Sequence, residues 1–257
     1  MAWIMPRPTV SGCTYGTNCE SLVAECLKSL SWADEVVYVD GGSSDRSIEV
    51  ARAAGAKVFQ KPWEGFRQRL EALEQFTTGD WIFALDADER ASPALADEIR
   101  RRTSAPPGPD AYAVARRTLY MGRWLAHGEW FPDRTTRLWR RGAARFVGGV
   151  HAKVTVAGPV GRLSVPIEHF GETDLSEQMR KIERYSSQEA RELFAAGVDG
   201  AGWKAVTRPP ARFLKGYLLK GGVLDGWQGF LAAAMTSYHV FAKYAKLRAL
   251  RSTEGKP

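Results

Sequence analysis

A chain of 257 residues, 44% hydrophobic and 25% charged, is long enough to bury one large core with a small appendage, as a globular fold does. Its net charge of +7 is uneven: from Trp203 to Pro257 ten Lys/Arg face Asp225 and Glu254, and ten minus two is +8, so the remainder is close to neutral. Cys13, Cys19 and Cys26 lack a partner at zinc spacing and read as reduced thiols of a cytosolic protein; no leader pattern opens the chain and no run of 18 apolar residues occurs, which argues against a membrane span.

Residues Leu22 to Leu30 carry helical spacing, and Val36 to Val39 form a buried strand ending at Asp40. The Gly41-Gly42-Ser43-Ser44-Asp45 turn follows, and Asp45 caps a helix through Ala54 that Gly55 ends. Lys57 to Phe59 is the next strand, Glu64 to Phe76 the next helix, and Trp81 to Leu85 a strand running into Asp86-Ala87-Asp88-Glu89. Ser92 caps and Pro93 opens a helix to about Arg102, and the Pro-rich stretch from Ser104 to Pro109 is a break. This alternation predicts βαβ units and a parallel sheet.

Beyond the break, Ala111 to Thr118, Thr135 to Trp139 and Lys153 to Val156 read as strands of a mixed or antiparallel part. Asp174, with Glu177 three residues on, starts a helix whose apolar stripe (Leu175, Met179, Ile182, Leu193, Phe194) reaches about Ala196. Two amphipathic segments, Phe213 to Leu219 and Phe230 to Leu250, close the chain with a hinge at Gly221-Gly222. The domains expected are therefore 1–200, in two halves at about 1–103 and 110–200, and a basic helical tail at 201–257.

The chemistry concentrates at Asp86 and Asp88. At strand spacing their carboxylates share a side, and hard oxygen ligands suit Mg²⁺ or Mn²⁺, which in turn hold a diphosphate. Acidic turns at strand ends are also common without any ligand.

In order, Val39-Asp40-Gly41-Gly42-Ser43-Ser44-Asp45, Gly79-Asp80-Trp81 and Leu85-Asp86-Ala87-Asp88-Glu89 resemble the inverting family 2 glycosyltransferases of the GT-A fold. The markers Ser31-Trp32-Ala33-Asp34-Glu35, Trp63-Glu64-Gly65-Phe66, Trp130-Phe131-Pro132-Asp133 and Arg137-Leu138-Trp139-Arg140-Arg141-Gly142 are similar to the branch of lipopolysaccharide-core β-glucosyltransferases of the WaaE/KdtX type. The resemblance covers roughly Leu22 to Leu250. The chain departs from the pattern at Ser11-Gly12, which weakens a buried strand, and at Arg67-Gln68-Arg69-Leu70, which lacks the usual Gly and Asn.

The resemblance implies an α/β GT-A fold: a Rossmann-like, mostly parallel sheet flanked by helices, with a C-terminal amphipathic helical extension. It implies that Asn18, Glu20 and Asp40 frame the nucleotide base, that Asp86 and Asp88 bridge ribose, metal and diphosphate, and that His151 completes the metal shell. The other readings are that Asp40 caps its turn and His151 is structural. Glu89 orients its neighbours. Arg67 or Arg69 reaches the base or diphosphate, with Arg69 the one retained. Arg137 and Arg141, which share a strand face, offset charge on the leaving diphosphate unless they belong to a solvated basic strand. Asp133 is the expected base that takes the acceptor hydroxyl's proton, with Glu129 as backup and a plain Pro-Asp turn as the other reading. His127 and His169 have weaker claims. Trp124 and Trp130 stack on an acceptor sugar or belong to the core.

The activity implied is metal-dependent transfer of a hexose, glucose first, from a UDP-sugar with inversion. The acceptor implied is a lipid-linked lipopolysaccharide-core or related cell-envelope glycan. The basic, aromatic tail predicts attachment to an anionic membrane surface first, rather than to nucleic acid, for which no recognition module is present; the third reading is packing against the catalytic domain or a second subunit. That places the enzyme in the cytoplasm, peripheral on the inner membrane. The rivals are a transferase for a polyprenyl phosphate, capsule precursor or peptide, and a non-catalytic relative acting as a membrane-associated scaffold.

Overall fold

The structure, a computed structural model, describes residues 7–105, 108–148, 152–171, 174–199 and 201–254. The chain forms two compact units, one from Met1–Arg116 with Arg134–His169, the other from Arg117–Asp133 with Phe170–Pro257. The boundary expected at residue 200 therefore falls inside the second unit.

The first unit alternates β1 (Val10–Gly16), α1 (Val23–Ser29), β2 (Glu35–Asp40), α2 (Ser47–Ala53), β3 (Lys57–Gln60), α3 (Phe66–Phe76) and β4 (Trp81–Asp86). Next come β5 (Glu89–Arg90), α4 (Pro93–Ser104) and β6 (Ala111–Tyr120), whose far end pairs with β7 (Arg123–Trp124) in the second unit. The unit resumes with β8 (Asp133–Arg140), β9 (Ala144–Val147), β10 (Lys153–Val156), β11 (Val160–Arg162) and β12 (Ile167–Phe170). The main sheet runs β3-β2-β1-β4-β8-β6-β12-β5, and β9 and β10 form a separate hairpin. Strands β1 to β4 are parallel, and β8 joins β4 antiparallel. Because β1 lies between β2 and β4, the connections turn opposite ways on its two sides. A crevice opens there at the carboxyl ends of the strands, where ligands bind in open α/β sheets. Register places Gly16 beside Asp40 and Tyr15 beside Asp86 at that edge.

Strand β1 is buried throughout, so Ser11 and Gly12 do not weaken it as expected. The Ser11 hydroxyl donates to Glu35 Oε2 at 2.6 Å and accepts the Gly79 amide at 2.8 Å, so its polarity is fully used. A Cβ on Gly12 would meet Leu30 Cβ at 3.1 Å, so the glycine lets the segment after α1 lie against the strand. Leu70, where Asn was expected, is buried in the cluster with Tyr15, Val39 and Ile82. Ser92 caps as expected, accepting the Leu95 amide ahead of Pro93, whereas the cap position of α2 is Arg46, one residue after Asp45, whose carboxylate accepts the Ser47 amide at 3.0 Å.

The second unit holds α5 (Leu175–Ala195), α6 (Ala201–Leu214) and α7 (Gly226–Glu254), with a π turn at Lys215–Leu219 and a 3-10 turn at Gly222–Asp225 between the last two. Asp174 caps α5 by accepting the Ser176 amide at 2.8 Å. Ala190, Ala201, Tyr244 and Leu247 form one core and Tyr120, Leu125 and Ala232 another, so the C-terminal helices pack within a folded unit instead of forming a separate tail. Helix α6 passes through Pro209 and Pro210, and the Ser237 hydroxyl donates to the Pro209 carbonyl at 2.8 Å. Local signals hid this helix, because prolines ordinarily end one.

Glu189 on α5 holds two groups of α7, His239 Nε2 at 3.1 Å and Lys243 Nζ at 2.8 Å. The hydrogen bond to His239 and the pairing with Lys243 outweigh burial and lower its carboxyl to about 2. A depressed folded-state value contributes stability above the unfolded value of about 4.3, and that contribution is lost as pH falls toward the folded one. Glu189→Gln is expected to cost about 1 kcal/mol at pH 7, with the two urea curves converging only below about pH 2.

Candidate active site

Strand β4 ends in the crevice at Asp86, and β5 opens with Glu89, whose Oε2 accepts the Asp86 amide at 2.9 Å. Because β8 runs antiparallel to β4, with Leu138 opposite Phe83, Arg137 comes up beside this end. Its Nη2 donates to Asp86 Oδ2 and, at 2.8 Å, to Glu89 Oε1. From α3, Arg69 Nη1 holds Asp86 Oδ1 at 2.9 Å, and Arg116 Nη1 lies 3.6 Å from Glu89 Oε1. Three guanidiniums thus surround two carboxylates.

Burial alone would raise both acids. For Asp86 the charges of Arg137 and Arg69 win and hold it far below the usual carboxylate range. Glu89 is fully buried, and desolvation, backed by the Asp86 charge, raises it despite Arg137. Arg137 is raised because these carboxylates outweigh its own desolvation. The Nε groups of Arg69 and Arg137 are buried without a hydrogen-bond partner. An anion's oxygens or a water would satisfy such N–H groups.

Asp88 does not continue the strand on the same side as Asp86, as strand spacing suggested. Strand β4 stops at Asp86, and Asp88 lies in the turn that follows, so the two-residue repeat no longer applies. Each Asp86 oxygen is engaged by an arginine, whereas Asp88 is 30% exposed with His169 Nε2 at 3.5 Å from its Oδ2. His169 sits on β12, registered against Glu89. Burial would lower His169, but the hydrogen bond and charge of Asp88 raise it. His151, expected as a metal ligand, lies outside the described residues.

No group of three metal-ligating side chains occurs among the described residues. One carboxylate and one imidazole do fit a divalent cation that arrives with its phosphates, since Mg²⁺ is usually held by one or two carboxylates plus substrate phosphate.

The residues expected around the base have local roles. Asp40 is fully buried; its Oδ2 accepts the Gly42 and Ser43 amides, each at 2.9 Å, and its Oδ1 faces the Tyr38 and Ser43 hydroxyls. Asp40 therefore builds the turn, the other reading that the sequence left open. Asn18, at φ 52°, accepts the Ser44 amide at 2.8 Å, and Glu20 accepts the Arg46 amide at 3.0 Å. Together they fasten the 43–46 loop beside the crevice.

Arg141 belongs to neither the crevice nor Arg137. The β4–β8 pairing is antiparallel, so it lies at the starting end of β4, donating from Nε to the Gly79 carbonyl at 3.0 Å. Sharing a strand face did not mean sharing an end. Arg67 pairs with Glu71 at 3.7 Å, which leaves Arg69 as the arginine of this segment that faces Asp86.

In the second unit, Asp133 is half-buried at the start of β8, after the cis Phe131–Pro132 peptide. Glu129 is removed as a backup base, because its buried carboxylate is held by Arg212 at 2.8 Å and Lys220 at 3.0 Å. His127 faces Asp225 at 3.2 Å, and Trp130 donates to Thr236 at 3.0 Å and packs edge-on against Tyr120, a core role. Trp124 meets Phe170 edge-on. Sequence reasoning ranked Glu89 and His169 too low and missed Arg116. Glu89 carried a usable signal, being a carboxylate flush against the motif, whereas His169 had none locally.

Residues 13–152, more than half of the chain, match the model of the family described as Glycosyl transferase family 2. The chain belongs to this family and is a glycosyltransferase. It is 28% identical to the lipopolysaccharide core biosynthesis glycosyltransferase LpsC of Rhizobium meliloti, over 99% of this chain and 97% of that protein. It is also 28% identical to an uncharacterized glycosyltransferase of Rickettsia typhi, over 91% of this chain and 84% of that one. Among solved structures, glucosyl-3-phosphoglycerate synthase of Mycobacterium tuberculosis, in complex with Mg²⁺ and uridine diphosphate, is 17% identical with a TM-score of 0.48, covering 75% of this chain and 81% of that one.

Proposed function

We propose that the protein transfers a hexose, glucose first, from a UDP-sugar with inversion to a lipid-linked lipopolysaccharide-core or related cell-envelope glycan. The observation that carries this reading is the Asp86 clamp, which aims Arg69 and Arg137 while leaving a buried N–H of each without a partner. Departure of UDP concentrates charge on its diphosphate, and fixed guanidiniums offset that charge without reorganising. Asp88 and His169 would hold the cation. When bound, that ion adds Lewis-acid stabilisation of the leaving phosphate.

Glu89 keeps Arg137 in place from below. Asp133 takes the proton from the acceptor hydroxyl as its oxygen attacks the anomeric carbon opposite UDP. The name of the Rhizobium relative, aligned along nearly its whole length, supports a lipopolysaccharide-core acceptor. No described helix is long and apolar enough to cross a membrane, and a peripheral position on the cytoplasmic face of the inner membrane suits such an acceptor.

The test is UDP release from UDP-glucose with Mg²⁺ or Mn²⁺, with and without lipopolysaccharide-core acceptor. Metal-dependent release stimulated by the acceptor is expected. A folded sample that neither releases nor binds UDP would overturn the reading in favour of a scaffold.

A further inference from the structure

The tail expected to lie along a membrane does not have an apolar face to offer along its whole length. Helix α7 buries Ala232, Ala233, Ala242, Tyr244 and Leu247 inside its own unit. Trp203, Val206, Tyr238 and Phe241 are exposed elsewhere on these helices, but the largest group lies where the chain reverses between α6 and α7. There Leu214, Leu218, Leu219, Val223, Leu224 and Trp227 are all exposed, Leu219 at 83% and Trp227 at 64%. Exposed apolar side chains gathered within one short reversal suit an interaction site.

Charge at this reversal is one-sided. Between residues 211 and 230 the exposed charged residues are Arg212, Lys215 and Lys220, and no carboxylate in that span is exposed. The two nearby acids are turned inward. Glu129 pairs with Arg212 and Lys220, and Asp225 accepts the Ala126 and His127 amides at 3.0 and 2.8 Å.

The reversal is also rigid. A Cβ on Gly222 would sit 2.8 Å from the Gly216 carbonyl oxygen, and one on Gly229 would sit 1.9 Å from the Gly222 carbonyl oxygen. Backbone therefore packs on backbone, and Gly221 takes the left-handed φ of 73° that the turn needs. On this closely packed backbone Leu214, Leu218, Leu219 and Leu224 are exposed.

We infer that this reversal is a tip that inserts into the surface of an anionic lipid bilayer, its leucines and Trp227 entering the acyl boundary while Arg212, Lys215 and Lys220 meet phosphate headgroups. The inference rests on the proposed lipid-linked acceptor and names the surface on which that acceptor is reached. Aliphatic side chains ringed by cations suit lipid, with apolar burial and headgroup attraction adding together. A second copy would bring like charges face to face, which is costly. Single-stranded nucleic acid binds through aromatic stacking, and the tip is mainly aliphatic.

The experiment is co-sedimentation of the full chain with phosphatidylcholine vesicles, with and without phosphatidylglycerol. The wild-type protein is expected to pellet with the anionic vesicles and to be released by salt. Leu219→Asp is expected to weaken partition by about tenfold or more, and Lys215→Glu to weaken it mainly on anionic vesicles. Leu219 is so exposed that the substitution should leave the melting temperature unchanged, which is measured alongside. Equal partition of Leu219→Asp and wild type, or no wild-type binding, overturns the inference. A change in oligomeric mass on substitution also overturns it and makes the tip a contact between copies. No donor or acceptor is present in this assay, so its failure is separate from failure of UDP release.

Discussion

Asp88→Asn is expected to lower kcat/KM for metal-dependent sugar transfer by about a hundredfold or more, with little change in stability. The two side chains have the same shape, and Asp88 lies 30% exposed in the turn after β4, so the fold loses little. What is lost is the carboxylate in the crevice that is not spent on an arginine. A titration of activity against Mn²⁺ or Mg²⁺ distinguishes this loss from a general defect. The variant should need far more metal for half-maximal rate while its unfolding midpoint stays in place. If metal response and rate are both unchanged, Asp88 does not hold the cation.

Arg137→Met is expected to show the opposite pattern, a large loss of stability together with activity. Arg137 is buried and touches both Asp86 and Glu89. Removing one partner of a buried ionic cluster leaves uncompensated charge, which typically costs about 3–5 kcal/mol. Urea unfolding measures that cost. Adding Glu89→Gln to Arg137→Met should recover part of it, because the neutral amide no longer needs a countercharge, with a coupling of about 1–3 kcal/mol. A loss under about 1 kcal/mol, or strict additivity, would mean that the cluster is not paired in solution.

These two residues also mark how far the sequence can be read. The run Trp81 to Leu85 ending in Asp86 could be placed because its burial, strand length and polar end all agree. Caps such as Ser92 and Asp174 were legible because the side chain and the amide it satisfies lie within three residues. Arg137 and Arg141 could be placed on one strand face, but their ends of the site depend on β8 running against β4, a long-range fact. His169 reaches Asp88 from β12, and nothing near residue 169 announces its partner. Strand β1 was undervalued for a similar reason. Ser11 and Gly12 look poor until Glu35, Gly79 and Leu30, distant in sequence, supply hydrogen bonds and close packing. The prolines of helix α6 mask its helical pattern, and packing of the C-terminal segments against α5, one of the readings open for them, leaves no local signature that would select it.

The crevice is assembled from both ends of the first unit, and this sets an order on the ribosome. A nascent chain that has delivered β1 to β4 already presents Asp86, with Glu89 close behind, while Arg137 and His169 are still unmade. The parallel strands can pair at that stage, but the buried acids lack the guanidinium that joins them. Translation must then run through the inserted stretch Arg117–Asp133, which belongs to the other unit, before β8 brings Arg137 and β12 brings His169. An amino-terminal fragment containing the parallel strands β1 to β4 is thus an electrostatically unfinished object, and synthesis through residue 169 completes both the charge balance and the contact between Asp88 and His169.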